Sequence, residues 1–392
     1  MKNISADFKT VATSEWEIGA IYAYDIIHNG AQDLSLYRHH TKESLVEQLK
    51  RYTLSNNGKT PMTEKGLRNM PMSKLKRILA AINRTNNLGD ITRIHANDLP
   101  EGDILTYSFP CQDLSIAGNW HHNTGGIDRD ANNRSTLLWE INRLLDEYEE
   151  IDKDMPRFLL MENVSEILSN KNKGNFKEWC SILESMGYHN KIYTLDARNF
   201  GVPQMRVRTY MLSVLTETDS KKIKVKDYFK ENNLQNIKND PKTLANYLKL
   251  DYSKEEYLEE AKKSTPRFTE SRQKIYESNL TLAIDNNIIS DYARTITTKQ
   301  DRNPNSGIIK YEKESWMEKN RYYRNLTPRE CFLLMGFDER QFDVLKKNNT
   351  IIGKKREMIT DAKMIKLAGN SIVVPVLESI FKQFLDLDQL IG

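Results

Sequence analysis

The stretch Ser108-Phe109-Pro110-Cys111-Gln112 follows an apolar run over residues 103–107 that predicts a short buried strand. A proline beside a cysteine at the end of a strand fixes the backbone and directs the thiol into the loop beyond. A nucleophilic cysteine needs such exposure, together with surroundings that favour the thiolate. Free cysteines are also often buried and inert. The local sequence therefore leaves Cys111 open between an attacking thiolate and a core residue.

Strands and helices alternate on both sides of this stretch. A helix over residues 136–150 precedes a buried strand over 157–161, and a second helix precedes strands over 191–195 and 209–212. Upstream, the β-branched residues of 8–14 predict another strand. This alternation predicts an α/β fold with a doubly wound, mostly parallel sheet.

Two acids upstream of Cys111 are placed where a nucleoside could bind. Glu15-Trp16 ends the strand over 8–14, where an acid can accept hydrogen bonds from ribose hydroxyls and a tryptophan can stack on a purine. A solvated acid at a strand end is the alternative interpretation of Glu15. Asp90 lies in the segment that leads to the strand before Cys111, where a carboxylate could meet an adenine amino group.

Composition narrows the class of protein. The 392 residues are 39% hydrophobic and 29% charged, and the net charge of +4 permits a nucleic-acid partner without requiring one. No apolar run suggests a membrane span or a signal peptide, so we expect a cytoplasmic protein with no membrane partner. Three widely spaced cysteines, none in a C-x-x-C pair, argue against disulfides and a metal site.

The sequence predicts three regions. Residues 1–215 form a catalytic domain with a helical insertion at about 31–88, residues 216–350 form a smaller second domain, and residues 351–392 pack back onto the first domain. Within the second region, Thr327-Pro328-Arg329-Glu330 has the cap, the first-turn proline and the glutamate of a helix start.

Cys111, Glu162 and the pair Arg206 and Arg208 are all predicted near the carboxyl ends of strands. Each has an ordinary alternative as a core or solvated residue. Together they suit attack of a thiolate on C6 of cytosine, with a carboxyl group at N3 and the exocyclic amine. Guanidinium groups can hold the base carbonyl, phosphates or the carboxylate. Such attack makes C5 nucleophilic enough to take a methyl group from a sulfonium donor.

The chain resembles the C5-specific DNA cytosine methyltransferases of bacterial restriction–modification systems. The resemblance lies in seven blocks in the family's order, spread over nearly the whole chain: Ser14-Glu15-Trp16, Gly89-Asp90-Ile91-Thr92, Phe109-Pro110-Cys111-Gln112, Glu162-Asn163-Val164, Gln204-x-Arg206-x-Arg208, Leu326-Thr327-Pro328-Arg329-Glu330 and Gly369-Asn370-Ser371.

The resemblance implies roles for individual residues. Cys111 would be the nucleophile and Glu162 the group on cytosine N3, while Arg208 with Arg206 would position the base, its carboxylate partner and phosphate. The residues implied to flank the target nucleotide are Gln112 and Ser115. The residues implied to bind S-adenosylmethionine are Glu15, Trp16, Asp90, Ile91, Pro110, Leu137, Asn370 and Ser371.

The resemblance also implies a partner and a mode of access. Residues 216–350 would be the target recognition domain for double-stranded DNA, with Thr295-Ile296 matching a short signature of that domain. Because C5 is out of reach inside a duplex, the base must be flipped out. No metal is implied.

The family's first block, a strand followed by a Phe-x-Gly-x-Gly loop for the methionine end of the cofactor, is absent from the sequence. The first strand of the sheet is therefore expected to be missing. A truncated reading frame, a second polypeptide that supplies the piece, and a remnant that no longer methylates all stay open. A tRNA cytosine-5 methyltransferase and a DNA-binding protein without catalysis are the alternative functions.

Overall fold

The computed structural model describes residue 4 and residues 6–110, 134–240, 242–267, 269–300, 304–312, 322–352 and 356–392. Within these residues the main sheet has four strands in the order β1–β2–β5–β3. They are β1 (Ile104–Tyr107), β2 (Phe158–Val164), β3 (Tyr188–Asp196) and β5 (Val207–Leu215), with the short β4 (Gln204–Met205) just before β5.

The predicted α/β class is confirmed, and the strand directions refine it. β1 and β2 are parallel, but β5 runs antiparallel to both β2 and β3, so the described pairings are not mostly parallel. The chain passes from β3 to β5 through a turn at Ala197–Asn199 and β4. Because no crossover helix separates β3 from β5, the two strands must run in opposite directions.

The predicted strand over residues 8–14 is not formed in the described part of the chain. Thr13 makes a single parallel bridge with Asn87. Its N–H donates to the Asn86 carbonyl at 3.2 Å, and Leu88 N–H donates to the Thr13 carbonyl at 2.8 Å. The prediction of a strand over residues 8–14 is therefore wrong for the described chain, because a single bridge does not extend into a ladder.

Helices cover both faces of the sheet. Residues of β2 alternate between two buried clusters, Phe158 and Leu160 in one and Leu159 and Met161 in the other, as the period of two in a strand requires. The helices are α1 (Ile18–Asn29), α2 (Lys42–Leu49), α3 (Glu64–Arg68), α4 (Met72–Arg84), α5 (Leu138–Glu150), α6 (Lys173–Ser185), α7 (Asp219–Glu231), α8 (Glu255–Lys263), α9 (Glu270–Glu277), α10 (Pro328–Leu333), α11 (Glu339–Lys347), α12 (Asp361–Asn370) and α13 (Val374–Ile391).

A second sheet lies in the region predicted for DNA recognition. Its strand order is β10–β9–β6–β7, and two further pairings are β4 with β8 and β11 with β12. The strands are β6 (Thr281–Ile284), β7 (Asn287–Ile288), β8 (Ala293–Arg294), β9 (Ile308–Lys310), β10 (Tyr323–Arg324), β11 (Ile351–Ile352) and β12 (Arg356–Glu357). Because β4 belongs to the first region and β8 to the second, this pairing joins the two.

The larger buried cluster draws on all three predicted regions. It includes Ile18 and Phe158 of the first, Leu282 and Phe342 of the second, and Ile380 of the third. The proposed boundaries at residues 215 and 350 therefore do not separate independent cores in the described chain, and they stay a prediction.

The C-terminal helices meet a length and hydropathy criterion for a membrane span. The segment Asp361–Ile391 contains an 18-residue window of mean hydropathy 1.4, which corrects the expectation that no apolar run is long enough. Ile380, Phe384 and Leu387 of α13 are nevertheless buried in the larger cluster. Core helices meet the same criterion, but only 28% of this window is buried in the described structure, so packing accounts for part of its apolar surface.

Candidate active site

Glu162 lies at the end of β2, beside the segment that leads to Cys111. The register pairs Tyr107 of β1 with Met161 of β2, which places Ser108 level with Glu162. Ser108 Oγ donates to Glu162 Oε2 at 2.8 Å. Arg208 Nε lies 3.4 Å from Glu162 Oε1, and both side chains are largely buried. The carboxylate therefore faces a hydroxyl donor and a guanidinium at the carboxyl edge of the sheet.

The backbone before Cys111 is fastened to the same strand. Asn163 Nδ2 donates to the Phe109 carbonyl at 3.1 Å, and both residues are buried. Ser108 and Asn163 were not predicted to have roles, although Asn163 stands in the Glu162-Asn163-Val164 block. Cys111, Gln112 and Ser115 lie outside the described residues, so their predicted roles stay predictions.

The other two cysteines are poor candidates for a nucleophile. Burial raises the pKa of the Cys180 thiol to about 11. Cys331 is fully buried, and burial raises the pKa of its thiol further above the ordinary value. Because the thiolate is the attacking form, neither thiol is prepared for attack at neutral pH.

Tyr210 of β5 is paired with Glu162 of β2 in the antiparallel register of these two strands. Burial, and then the negative charge of Glu162, raise the pKa of the Tyr210 hydroxyl. The hydroxyl therefore stays protonated at neutral pH. Tyr210 therefore adds no charge beside Glu162, and the positive charge next to Glu162 comes from the guanidinium of Arg208.

Arg206 is placed differently from Arg208. Its guanidinium is buried and donates to the backbone carbonyls of Ile296, Gly369 and Ser371 at 2.9–3.1 Å. It was predicted to position the base together with Arg208. Three carbonyls fix it instead between β5, the Thr295-Ile296 segment and the end of α12. Its described contacts are therefore those of a residue that joins segments.

Gln204 strengthens the same junction. Its side chain is fully buried, its Oε1 accepts from Ile296 N–H at 3.0 Å, and its Nε2 donates to the Leu334 carbonyl at 2.6 Å. Thr295 Oγ1 donates to the Met205 carbonyl at 2.6 Å. The Gln204-x-Arg206-x-Arg208 block thus anchors the second region with its first two polar members and reaches Glu162 with its third.

The first two predicted cofactor blocks lie side by side. Ser14 Oγ donates to the Gly89 carbonyl at 2.9 Å, next to the bridge between Thr13 and Asn87. Gly89 has a φ of +84°, and a Cβ there would lie 2.6 Å from the Tyr52 carbonyl oxygen, so only glycine fits. This contact brings Glu15-Trp16 close to Asp90-Ile91, and the binding of the cofactor by these residues stays a prediction.

The Glu15 carboxylate is held by its own backbone. Glu15 Oε1 accepts from Trp16 N–H at 2.8 Å and Glu17 N–H at 2.7 Å. Burial raises the pKa of the Glu15 carboxyl, while those two N–H groups act in the opposite direction. Glu15, Trp16 and Asp90 lie in these two adjoining segments, and we call the surface they form the Glu15-Trp16 edge. An acid, an indole and a second acid are a set that fits the ribose and adenine of a nucleoside.

The remaining predicted cofactor residues lie in several segments of the chain. Asp90 caps a short helical turn by accepting from Thr92 N–H at 3.1 Å. Ile91 and Leu137 pack on the smaller buried cluster, and Pro110 is partly buried. Asn370 is exposed at the end of α12, and Ser371 follows it.

Gly369 shows how tightly this end of α12 is packed. A Cβ on Gly369 would lie 2.6 Å from the Thr297 carbonyl carbon. The Gly369-Asn370-Ser371 block therefore touches the second region on one side and, through Arg206, the main sheet on the other. Within the described residues, no group of three or more His, Cys, Asp or Glu side chains could hold a metal ion.

Comparison with known proteins identifies the family of this chain. The model of the C-5 cytosine-specific DNA methylase family matches residues 60–386. An orphan methyltransferase, M.SssI, of Spiroplasma monobiae is 32% identical over 381 residues, which cover 95% of this chain and 90% of that protein. The type II methyltransferase M2.ScrFI of Lactococcus lactis subsp. cremoris is 30% identical over 375 residues, covering 95% and 91%.

The chain therefore belongs to the C-5 cytosine-specific DNA methylase family, as its seven blocks predicted. Among solved structures, the S. pombe Dnmt2 methyltransferase has a TM-score of 0.53 at 20% identity and covers 96% of this chain and 98% of that one. This likeness confirms the fold of a methyltransferase and carries no information on the substrate.

Proposed function

We propose that this DNA cytosine-5 methyltransferase works through a covalent adduct between Cys111 and C6 of a flipped-out cytosine, with S-adenosylmethionine as the methyl donor. The observation that carries the proposal is the contact of Glu162 with both Ser108 and Arg208. It supports a carboxyl group poised beside the segment that ends in Cys111.

The chain supplies residues for the addition to the base. The Cys111 thiolate forms a bond to C6 as the C5–C6 double bond opens, and Glu162 acts as the general acid that donates a proton to N3, where negative charge would otherwise develop. Arg208 keeps the carboxyl group of Glu162 in place and can hold the base carbonyl. S-adenosylmethionine, when bound, would supply the methyl group to C5 from its sulfonium sulfur and leave as a neutral thioether. Loss of the C5 proton to solvent re-forms the C5–C6 double bond and breaks the bond between Cys111 and C6. The thiolate is then restored, and N3 returns its proton to Glu162.

The cofactor pocket is proposed at the edge formed by Glu15, Trp16 and Asp90. Ile91, Pro110, Leu137, Asn370 and Ser371 are proposed to complete it. Residues 216–350 are proposed to read double-stranded DNA, and the buried junction of Gln204 and Thr295 supports a fixed orientation of that region relative to the chemistry.

The setting is proposed from the relatives. Type II methyltransferases at about this level of similarity support a modification enzyme of a restriction–modification system that works in the cytoplasm. An orphan methyltransferase is similar over the same length of chain. A role without a cognate endonuclease is therefore the second candidate.

Transfer of labelled methyl groups from S-adenosylmethionine tests the function. We expect incorporation into double-stranded DNA and none into tRNA. Incorporation into tRNA alone would contradict the DNA assignment. A tight DNA complex without binding of S-adenosylmethionine would favour a DNA-binding protein that does not methylate.

A second polypeptide that supplies a Phe-x-Gly-x-Gly loop is one of the three explanations that the sequence leaves open. It is tested in the same assay by comparing the chain alone with the chain mixed with a polypeptide that carries this loop. Stimulation by the added polypeptide would support a split enzyme. Full activity of the chain alone would contradict it.

A further inference from the structure

We propose that a turn of the helical insertion, residues 55–60, holds the S-adenosylmethionine pocket in shape, with Glu17 and Lys366 as positioning residues. The sequence predicted a helical insertion over about 31–88 and assigned none of its residues to the site. The inference rests on the proposed function in one respect, because S-adenosylmethionine is taken as the ligand of the Glu15-Trp16 edge.

The turn is joined to the backbone around Trp16. Ser55 N–H donates to the Trp16 carbonyl at 2.7 Å, and Ile18 N–H donates to the Ser55 carbonyl at 2.9 Å. These two hydrogen bonds form a parallel β-bridge between Ser55 and Glu17. A segment that lies 38 residues further along the chain fixes the path of the backbone between Trp16 and α1.

Hydrogen bonds within the turn hold its conformation. Ser55 is fully buried, and its Oγ donates to the Thr60 carbonyl at 2.7 Å and accepts from Gly58 N–H at 3.0 Å. Asn57 Oδ1 accepts from Lys59 N–H at 2.8 Å and Thr60 N–H at 3.1 Å. Each of these bonds ties a polar group of the turn to the turn itself, so its conformation does not depend on a ligand.

Two lysines of α12 donate hydrogen bonds to this turn. Lys366 Nζ donates to Glu17 Oε2 at 2.6 Å and to the Asn57 carbonyl at 2.8 Å. Lys363 Nζ donates to the Asn56 carbonyl at 3.1 Å. The Glu17 carboxylate is largely buried and the Lys366 amine only partly exposed. Such a pair, supported by further hydrogen bonds, resists exchange with water better than an exposed ion pair.

Gly58 is shaped to fit the Glu17 carboxylate. Its φ is +69°, and a Cβ there would lie 2.8 Å from Glu17 Oε2. A contact that short does not occur, so any side chain at position 58 would push the carboxylate or the turn aside.

The connection to the pocket is direct. Glu15 Oε1 accepts from Glu17 N–H at 2.7 Å, so a shift of Glu17 moves the carboxylate proposed to hold the ribose. On the other side, Lys366 lies on the helix that ends at Asn370. The Glu17–Lys366 pair therefore links two proposed cofactor segments that are more than 300 residues apart in the sequence. Loosening this link should weaken cofactor binding more than it affects the chemistry.

The test compares Lys366→Met and Glu17→Gln with the double variant. Affinity for S-adenosylmethionine is measured by calorimetry, and kcat at saturating cofactor and the Kd for DNA are measured alongside. We expect each single variant to raise the cofactor Kd roughly 10-fold, about 1.4 kcal/mol. The double variant should lose little more, because both changes break one interaction. The kcat at saturating cofactor and the Kd for DNA should change less than about 3-fold. Lys366→Arg keeps the positive charge, so its Kd for the cofactor should stay near the wild-type value.

Gly58→Ala provides a second test if Lys366→Met does not fold. Its matched control is Gly30→Ala, since Gly30 has nearly the same φ, +72°, but nothing within 4 Å of its Cβ. Both substitutions place a side chain on a residue with positive φ, and only Gly58→Ala meets the Glu17 carboxylate. We expect a raised cofactor Kd for Gly58→Ala alone. Lys382→Met, on the exposed side of α13, controls for loss of a lysine.

The outcomes separate this inference from the proposed function. A cofactor Kd within about 2-fold of the wild-type value in folded Lys366→Met and Gly58→Ala variants would overturn the positioning role alone. Absence of S-adenosylmethionine binding and of methyl transfer in the wild-type chain would overturn the proposed function as well.

Discussion

Two arginine–glutamate pairs occupy very different settings in this protein. Arg324 and Glu330 are completely buried, with two parallel contacts of 2.7 Å between guanidinium and carboxylate. Glu330 also accepts from the backbone N–H groups of Thr327 and Lys249 at 2.8 Å each. Arg208 and Glu162 meet in one contact of 3.4 Å near the open edge of the sheet.

The difference indicates which pair is available for chemistry. Both oxygens of Glu330 already accept hydrogen bonds from donors of the protein. If Glu330 contacted a substrate instead, these buried donors would lose their partner. Glu162 has a hydroxyl donor and one long ionic contact among the described residues. The same two residue types thus build a structural link in one region and a carboxylate that can still gain a partner in the other.

The largest effect is expected from Glu162→Gln, which keeps the shape of the side chain and removes its charge and acidity. Methyl transfer should fall roughly 100- to 10,000-fold, the range for loss of an acid–base group. The melting temperature should barely change. Single-turnover methylation and thermal unfolding measure the two quantities. A variant with near-normal rates would remove Glu162 from the mechanism.

Glu330→Gln should have the opposite profile. It leaves the buried Arg324 guanidinium without its charged partner, which typically costs about 3–5 kcal/mol of stability. The rate per folded molecule should stay near the wild-type value at low temperature. Denaturant unfolding measures the loss, with Glu47→Gln, from an exposed pair with Lys50, as the control. An unchanged stability would show that the pair contributes little.

A smaller effect is expected at Glu15, whose carboxyl pKa is raised first by burial. A carboxyl with a raised folded-state pKa contributes stability below its ordinary pKa and loses it as the pH rises through the raised value. Glu15→Gln should therefore raise the melting temperature at pH 7.5, on the order of 1–2 °C. The gain should vanish at a pH below the ordinary carboxyl pKa.

Cofactor affinity should fall in the same Glu15→Gln variant, because the amide cannot accept from two ribose hydroxyls as a carboxylate does. Glu101→Gln, at an exposed position, is the control for a change in net charge. If Glu15→Gln melts lower than the wild type at pH 7.5, the carboxylate is stabilising and the burial argument is wrong.

Much of the fold followed from local pattern. Continuous apolar runs predicted β1 and β2, and the capping box at Thr327 and Glu330 is present with both of its hydrogen bonds. These features depend on neighbours in the sequence. The direction of β5 depends instead on how the chain leaves β3, and a pattern of alternating residues contains no information about strand direction.

The same contrast between local and long-range features applies to the residues of the site. Glu162 was predicted from its residue type and its position at the end of a strand. Arg208 was expected near the carboxyl end of a strand but lies at the start of β5, and it meets Glu162 because β5 runs antiparallel to β2. The position of Arg206 two residues earlier suggested the same role, but its partners are backbone carbonyls up to 165 residues away. Ser55, Glu17 and Lys366 gave no signal, since long-range hydrogen bonds to backbone atoms leave no periodic trace in the sequence.

The most direct test of the chemical centre is a covalent trap with double-stranded DNA that contains 5-fluorocytosine, where the C5 proton cannot leave. With S-adenosylmethionine present, the wild-type chain and Cys180→Ala should both form an adduct that survives denaturing electrophoresis, and Cys111→Ala should form none. An adduct that persists in Cys111→Ala would contradict the account.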